Sequence, residues 1–161
     1  MKQFFAFLLS ILMLLSLACC RRSAYGDTQT SQILATQAID HFDAAGEYLG
    51  AGEDALRDYF ETPDFVRDCC VYFHTDRNKL DEVGVFHVAS GHTTEMQSLL
   101  RNYLNQALAD NRAWYDSYIP HETPKLRDAE VRVFGNYVAY AILSPENKNS
   151  FFEAIKNQTK A

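Results

Sequence analysis

The sequence lacks the short motifs that mark common chemistries. It contains no Cys-x-x-Cys, no His-Glu-x-x-His, no Gly-x-Ser-x-Gly and no Gly-x-x-x-x-Gly-Lys. A paired-ligand metal site, a nucleophile elbow and a phosphate-cradling loop are therefore not written in it. Only four cysteines occur in 161 residues, as the adjacent pairs Cys19-Cys20 and Cys69-Cys70. Basic residues are adjacent once, at Arg21-Arg22, and 15 Lys and Arg face 21 Asp and Glu for a net charge of −6. Nucleic-acid binding needs clustered cations to neutralise phosphates, so nucleic acid is excluded as an expected partner. Nor is there an apolar run of the roughly 20 residues that span a bilayer.

What is present begins with a shorter run. Phe4–Ala18 is apolar except for Ser10 and Ser16, with Lys2 before it. A basic start, a short apolar stretch and small residues at its end make up a secretory signal peptide, expected over 1–18. The run stops in Ser16-Leu17-Ala18-Cys19-Cys20-Arg21-Arg22. Ser16 and Ala18 suit an ordinary signal peptidase, which would release a soluble chain beginning at Cys19. Cys19 also suits a lipoprotein peptidase, which acts after a diacylglycerol thioether has formed. The expected outcome is a lipid on Cys19 and a protein held at the outer face of the cytoplasmic membrane; the alternative is a secreted one. Two acyl chains suffice for stable anchoring, at about 0.8 kcal/mol per buried methylene.

Residues 19–30 are polar and small and read as a flexible tether, and 31–161 as a single α+β domain. At 47% apolar and 22% charged residues the chain has the composition of a folded domain. Leu34, Ala38, Phe42 and Ala45 recur at helical spacing, then Gly46 and Gly50-Ala51-Gly52 interrupt. A second short helix is expected over Glu53–Phe60. Val66–Thr75 and Glu82–Ala89 read as strands, the first with Cys69, Val71 and Phe73 on one face. Adjacent strand residues point oppositely, which opposes a Cys69–Cys70 disulfide. Cys69 is expected to be the buried thiol, with Cys70 on the other face.

The longest helix follows. Thr94 with Gln97 forms a capping box, and Met96, Leu99, Leu100, Tyr103, Leu104, Ala107 and Leu108 make the apolar stripe, up to a stop at Pro120. Ala129–Phe134 and Tyr137–Leu143 are strands joined by Gly135-Asn136, a two-residue hairpin signal. Ser144-Pro145 caps a last helix carrying Phe151, Phe152 and Ile155 inward. The pattern strand–strand–helix occurs twice. It predicts an antiparallel four-stranded sheet from two ββα units, with the helices packed on one face and short N-terminal helices ahead of it. The last strand is apolar on both sides, Val138, Tyr140 and Ile142 on one and Tyr137, Ala139, Ala141 and Leu143 on the other. Residues 31–60 are expected to cover the second face.

Several segments in order carry a resemblance: Asp64-Phe65-Val66, Glu82-Val83-Gly84-Val85-Phe86-His87-Val88, the long helix, Tyr118-Ile119-Pro120 ahead of Leu126, and Gly135-Asn136-Tyr137-Val138. From about Thr62 to Lys156 the chain resembles a domain-of-unknown-function family of small lipoproteins in Gram-positive, clostridia-type bacteria. The resemblance implies a lipidated cysteine after the signal peptide. The departure is Ser16, where the family has a branched apolar residue. The resemblance implies an address and a fold, and no mechanism.

The five histidines show no helical metal-ligand spacing, and His87, alternating with apolar neighbours, is expected on the solvent face. Ser90-Gly91-His92 reads as turn chemistry, and nothing sets a separation between Glu122 and Glu130. No catalytic residue, metal or cofactor is expected. Aromatics are the stronger signal. Trp114, Tyr115 and Tyr118 cluster at the end of the long helix, where Trp114 and Tyr118 are expected as core or staple residues; these two, with Tyr137 and Tyr140 on the last strand, are also the candidate ligand contacts. The expected function is a non-enzymatic binding or accessory module for an envelope protein, a peptide or a cell-wall component. The rivals are a small envelope hydrolase using His92 or His121, a freely secreted binding protein, and a sensor-associated structural domain.

Overall fold

The computed structural model describes residues 25–42, 47–51, 56 and 62–160. The expected signal peptide, Cys19 and most of the expected helix over Glu53–Phe60 lie outside the described residues. Among those described there are five strands and four helices. In chain order they are α1 (Ser31–Ile39), β1 (Tyr48–Ala51), β2 (Val66–His74), β3 (Glu82–Val88), α2 (Thr93–Tyr118), α3 (Thr123–Arg127), β4 (Glu130–Phe134), β5 (Tyr137–Ile142) and α4 (Pro145–Thr159).

The class is α+β, with one antiparallel sheet in the order β1-β2-β3-β5-β4. The two expected hairpins, β2–β3 and β4–β5, meet along β3 and β5. Gly135 turns the second one at φ +62, where a side chain would be strained. The sheet has five strands rather than four, because β1 adds to the β2 edge. Its glycine had marked a break, yet Gly50 lies flat over the Tyr72 ring, where a Cβ would come within 3.0 Å. Edge pairing outweighs the weak strand propensity of glycine there.

The helices also cover both faces, not one. Strands β3 and β5 are buried along their whole length. Two apolar faces leave two surfaces that must be withdrawn from water. Val83, Val85, Cys70, Tyr137, Ala139 and Ala141 pack against Leu34, Ala38 and Phe42 and against Phe151, Phe152 and Ile155 of α4. Val71, Phe86, Val88, Val138, Tyr140 and Ile142 pack against Met96, Leu100 and Leu104 of α2 and Leu126 of α3. The helices of the two ββα units thus lie on opposite faces. The segment after Ser31 does cover the second face of β5, but together with α4.

Local chemistry sets the helix ends. Thr30 caps α1, its Oγ1 accepting from Ile33 N at 3.3 Å. Ser144 caps α4 with Pro145 following, as its sequence predicts. The Thr94–Gln97 capping box does not form. Helix α2 starts at Thr93 with His92 as a cap that makes no side-chain bond, and Gln97 reaches the Val131 carbonyl instead. Cys70, not Cys69, is the buried thiol, facing α1 and α4, and burial pushes it up to about 12. Cys69 is half-buried on the α2 face.

Candidate functional site

The two ends of the central strands differ in chemistry. Glu82 pairs with Ile142 at one end of the β3–β5 ladder and His87 with Tyr137 at the other. Helix α2 runs past the first end. Its 26 residues extend about 39 Å, against about 24 Å for a seven-residue strand. Its fully buried residues stop at Leu104, and in its second half Ala107, Leu108 and Tyr115 pack on the core only in part.

At the Glu82 end, a cleft of 230 Å³ opens between the second half of α2 and the sheet. Phe73, Leu80, Tyr103, Ala107, Tyr115, Leu126 and Ile142 line it, with His74, Lys79, Asp81 and Glu82. Glu82 begins β3 with its side chain on the α2 face, in step with Gly84 and Phe86. It is 9% exposed. The Tyr103 hydroxyl donates to Glu82 Oε1 at 2.9 Å, and the Tyr140 hydroxyl donates to the same oxygen. Burial pushes the Glu82 carboxyl above the ordinary carboxylate value, and the two phenol donors offset this only in part. Among the described residues no Lys, Arg or His forms an ion pair with Glu82. Burial also raises the Tyr140 phenol well above its usual value, with the Glu82 charge acting in the same direction.

Beside the cleft, Lys125 Nζ lies 2.5 Å from Asp81 Oδ1 and 2.8 Å from Glu122 Oε2. Leu80 N donates to Glu122 Oε2 at 2.9 Å, and Tyr48 Oη donates to Asp81 at 3.2 Å. Burial raises the Glu122 carboxyl, but Lys125 and the Leu80 amide outweigh it and hold Glu122 below the ordinary value. Burial and the Asp81 charge push the Tyr48 phenol up.

At the opposite end the incoming chain is clamped. His87 is buried, correcting its expected solvent position: it shares the inner face of Val83 and Val85, and two carboxylates make its burial tolerable. Nδ1 is 3.0 Å from Asp68 Oδ2, Nε2 meets Asp27 Oδ1, and the ring stacks on Tyr137 at 4.5 Å. Arg67 and Asn136 each hold Asp27 at 3.0 Å. Tyr137 Oη donates to the Gln29 carbonyl at 2.6 Å, and Gly26 N donates to the Thr159 carbonyl at 2.6 Å. Residues 25–31 are thereby fastened across the sheet end.

The four candidate ligand contacts divide between these ends. Tyr137 belongs to the clamp and is buried. Tyr140 lies under the cleft as a Glu82 donor, fully buried. Trp114 and Tyr118 are not core or staple residues. They are 50% and 71% exposed and stack on each other at 5.3 Å, one turn apart on the outer face of α2, while Tyr115 and Ile119 take the inner face at the same height. Trp114 also meets Tyr115, a wall of the cleft, edge to face at 5.6 Å. Trp114 thus touches a wall of the cleft, although neither it nor Tyr118 lines the cleft itself. His92 stacks on Phe65 before α2, and His121 follows its far end, so the two are not brought together. Glu130 is held by Arg132 and Lys148, apart from the Glu122 cluster. Among the described residues no three His, Cys, Asp or Glu side chains are placed to hold a metal, and no helix is long and apolar enough to cross a membrane.

Sequence reasoning did not single out Glu82 or Tyr103 as site residues, named Tyr115 only as a neighbour of Trp114 and Tyr118, and set Glu122 beside Glu130 rather than Asp81 and Lys125. The available signal was parity: Glu82 shares its strand face with Phe86 and Val88. The family model described as Domain of unknown function (DUF4358) matches residues 48–143, more than half of the chain, and the chain belongs to that family. No curated protein and no solved structure matches. Every cleft residue lies within the matched span, whereas Asp27 of the clamp lies outside it.

Proposed function

We propose that this member of the DUF4358 family is an exported binding module of a Gram-positive envelope. A lipid on Cys19 holds it at the outer face of the cytoplasmic membrane, and it recognises an envelope protein or peptide at its far end. The supporting observation is polarity. The chain enters the fold at Tyr25–Gln29 beside His87, while Trp114, Tyr118 and the Glu82 cleft lie at the other end of the same strands. A tether arriving at the clamp turns the aromatic end away from the lipid, toward partners outside the membrane. Aromatic residues are enriched where proteins bind one another, because they bring large contact area with a polar tip. A hydrolase using His92 or His121 finds less support, since neither of them lines the Glu82 cleft.

The anchor is tested by intact mass and membrane partitioning of the protein made in a Gram-positive host, beside Cys19→Ala. A membrane-bound product carrying diacylglycerol mass, lost in the variant, is expected. A soluble, unmodified chain beginning at Cys19 would replace the anchored reading with a secreted one.

A further inference from the structure

We propose that the Glu82 cleft is a binding site for a primary ammonium group on a slim aliphatic chain, the group a lysine side chain of a peptide presents. This gives a ligand class to the recognition end proposed above and rests on that reading for its biological use, though not for the binding itself. Size comes first. At 230 Å³ the cleft falls below the roughly 300–1,000 Å³ of sites for drug-sized molecules. That size suits a four-carbon chain with its charged head.

The walls suit a cation. Phe73, Tyr103 and Tyr115 are aromatic, Leu126 and Ile142 aliphatic, and ammonium groups are attracted to ring faces in desolvated surroundings. The floor is Glu82, buried and hydrogen-bonded by two phenols but with no cation of the described residues on it. Both phenols donate to Oε1, which leaves Oε2 for an occupant. Among the described residues the neighbouring basic side chains already face acids: Lys125 meets Asp81 and Glu122, and Lys79 and His74 meet Glu47 at 4.0 and 2.8 Å. Those three acids outnumber those two lysines before Glu82 is counted. A buried carboxyl without a cation is favoured in its neutral form, and an entering ammonium would favour the carboxylate. If the acid is protonated beforehand, binding releases that proton to solvent and no bond to carbon changes.

The test is titration of the protein, purified in the form its host exports, with n-butylammonium chloride. Tyrosine ring signals are followed by NMR, with n-pentanol and butyrate as neutral and anionic controls of similar length. Saturable shifts of Tyr103 and Tyr115 are expected with the ammonium alone. Glu82→Gln, which keeps an acceptor for both phenols, should weaken binding by about tenfold or more with the spectrum otherwise intact. Should Glu82→Gln fail to fold, Tyr115→Leu, at a half-buried wall position, should also weaken binding. No saturable shift with the ammonium, an equal response to n-pentanol or butyrate, or unchanged affinity in a folded variant would overturn the proposal. Such a failure would leave Cys19 anchoring and contact through Trp114 standing. Their failure, in turn, would not alter the titration.

Discussion

His87 Nδ1 stands 3.0 Å from Asp68 while Nε2 meets Asp27, so one imidazole joins β3 to β2 and to the incoming chain. Replacing it with alanine leaves two carboxylates facing an empty position. His87→Ala should cost about 1–3 kcal/mol and loosen residues 25–31. Urea unfolding measures the first effect. Faster hydrogen exchange at the Ser31 amide, now held by Asp68 at 2.6 Å, measures the second. Unchanged exchange there would mean that Arg67 and Asn136 suffice.

Gly84 lies under the Tyr140 ring, and a Cβ at that position would overlap it. Tyr140 cannot retreat without giving up its bond to Glu82. Gly84→Ala should therefore destabilise by about 1–3 kcal/mol, the usual cost of overpacking a core. A variant with wild-type unfolding would show that the ring and sheet adjust freely.

The raised Glu82 carboxyl has a signed consequence for stability. Above the ordinary glutamate value of 4.5 the unfolded chain has released a proton that the folded chain still holds. Stability therefore falls as pH rises from there toward the folded value. Glu82→Gln removes this slope. Its stability relative to wild type should be greater at about pH 8 than at about pH 5 by urea unfolding. An equal or reversed difference would contradict the raised value.

Lys125 bridges two nearly buried acids, Asp81 and Glu122. Lys125→Met leaves both without their cation and should cost about 3–5 kcal/mol, as when one partner of a buried pair is removed. Adding Asp81→Asn and Glu122→Gln should recover part of that loss. A loss under about 1 kcal/mol would place the cluster among exposed pairs.

Much of the fold was legible because periodicity carries it. The strands β2 to β5, the Gly135 turn, α2 and the Ser144 cap of α4 all follow from spacing and turn chemistry. Strand β1 escaped because Gly50 reads as a break when its partner Tyr72 is unknown. Helix α3 is a single turn, too short for a period. Coverage of both faces was half visible in β5, but in β3 the polar Glu82 and His87 masked an equally buried strand. Their partners, Tyr140 and Tyr103 for one and Asp27 and Asp68 for the other, are distant in sequence and meet only through the register. Trp114 and Tyr118 resembled core residues because they adjoin the apolar stripe, whereas the inward face of α2 at that height is taken by Tyr115 and Ile119.

The central claim is that recognition occurs at the Trp114 end of an anchored protein. A photo-crosslinking residue at position 114 in living host cells tests it directly, beside one at position 157, on α4 near the chain's entry. Discrete adducts with an envelope protein or peptide from position 114, and none from position 157, are the predicted result. No adduct at 114, or the same adducts from both positions, would contradict it.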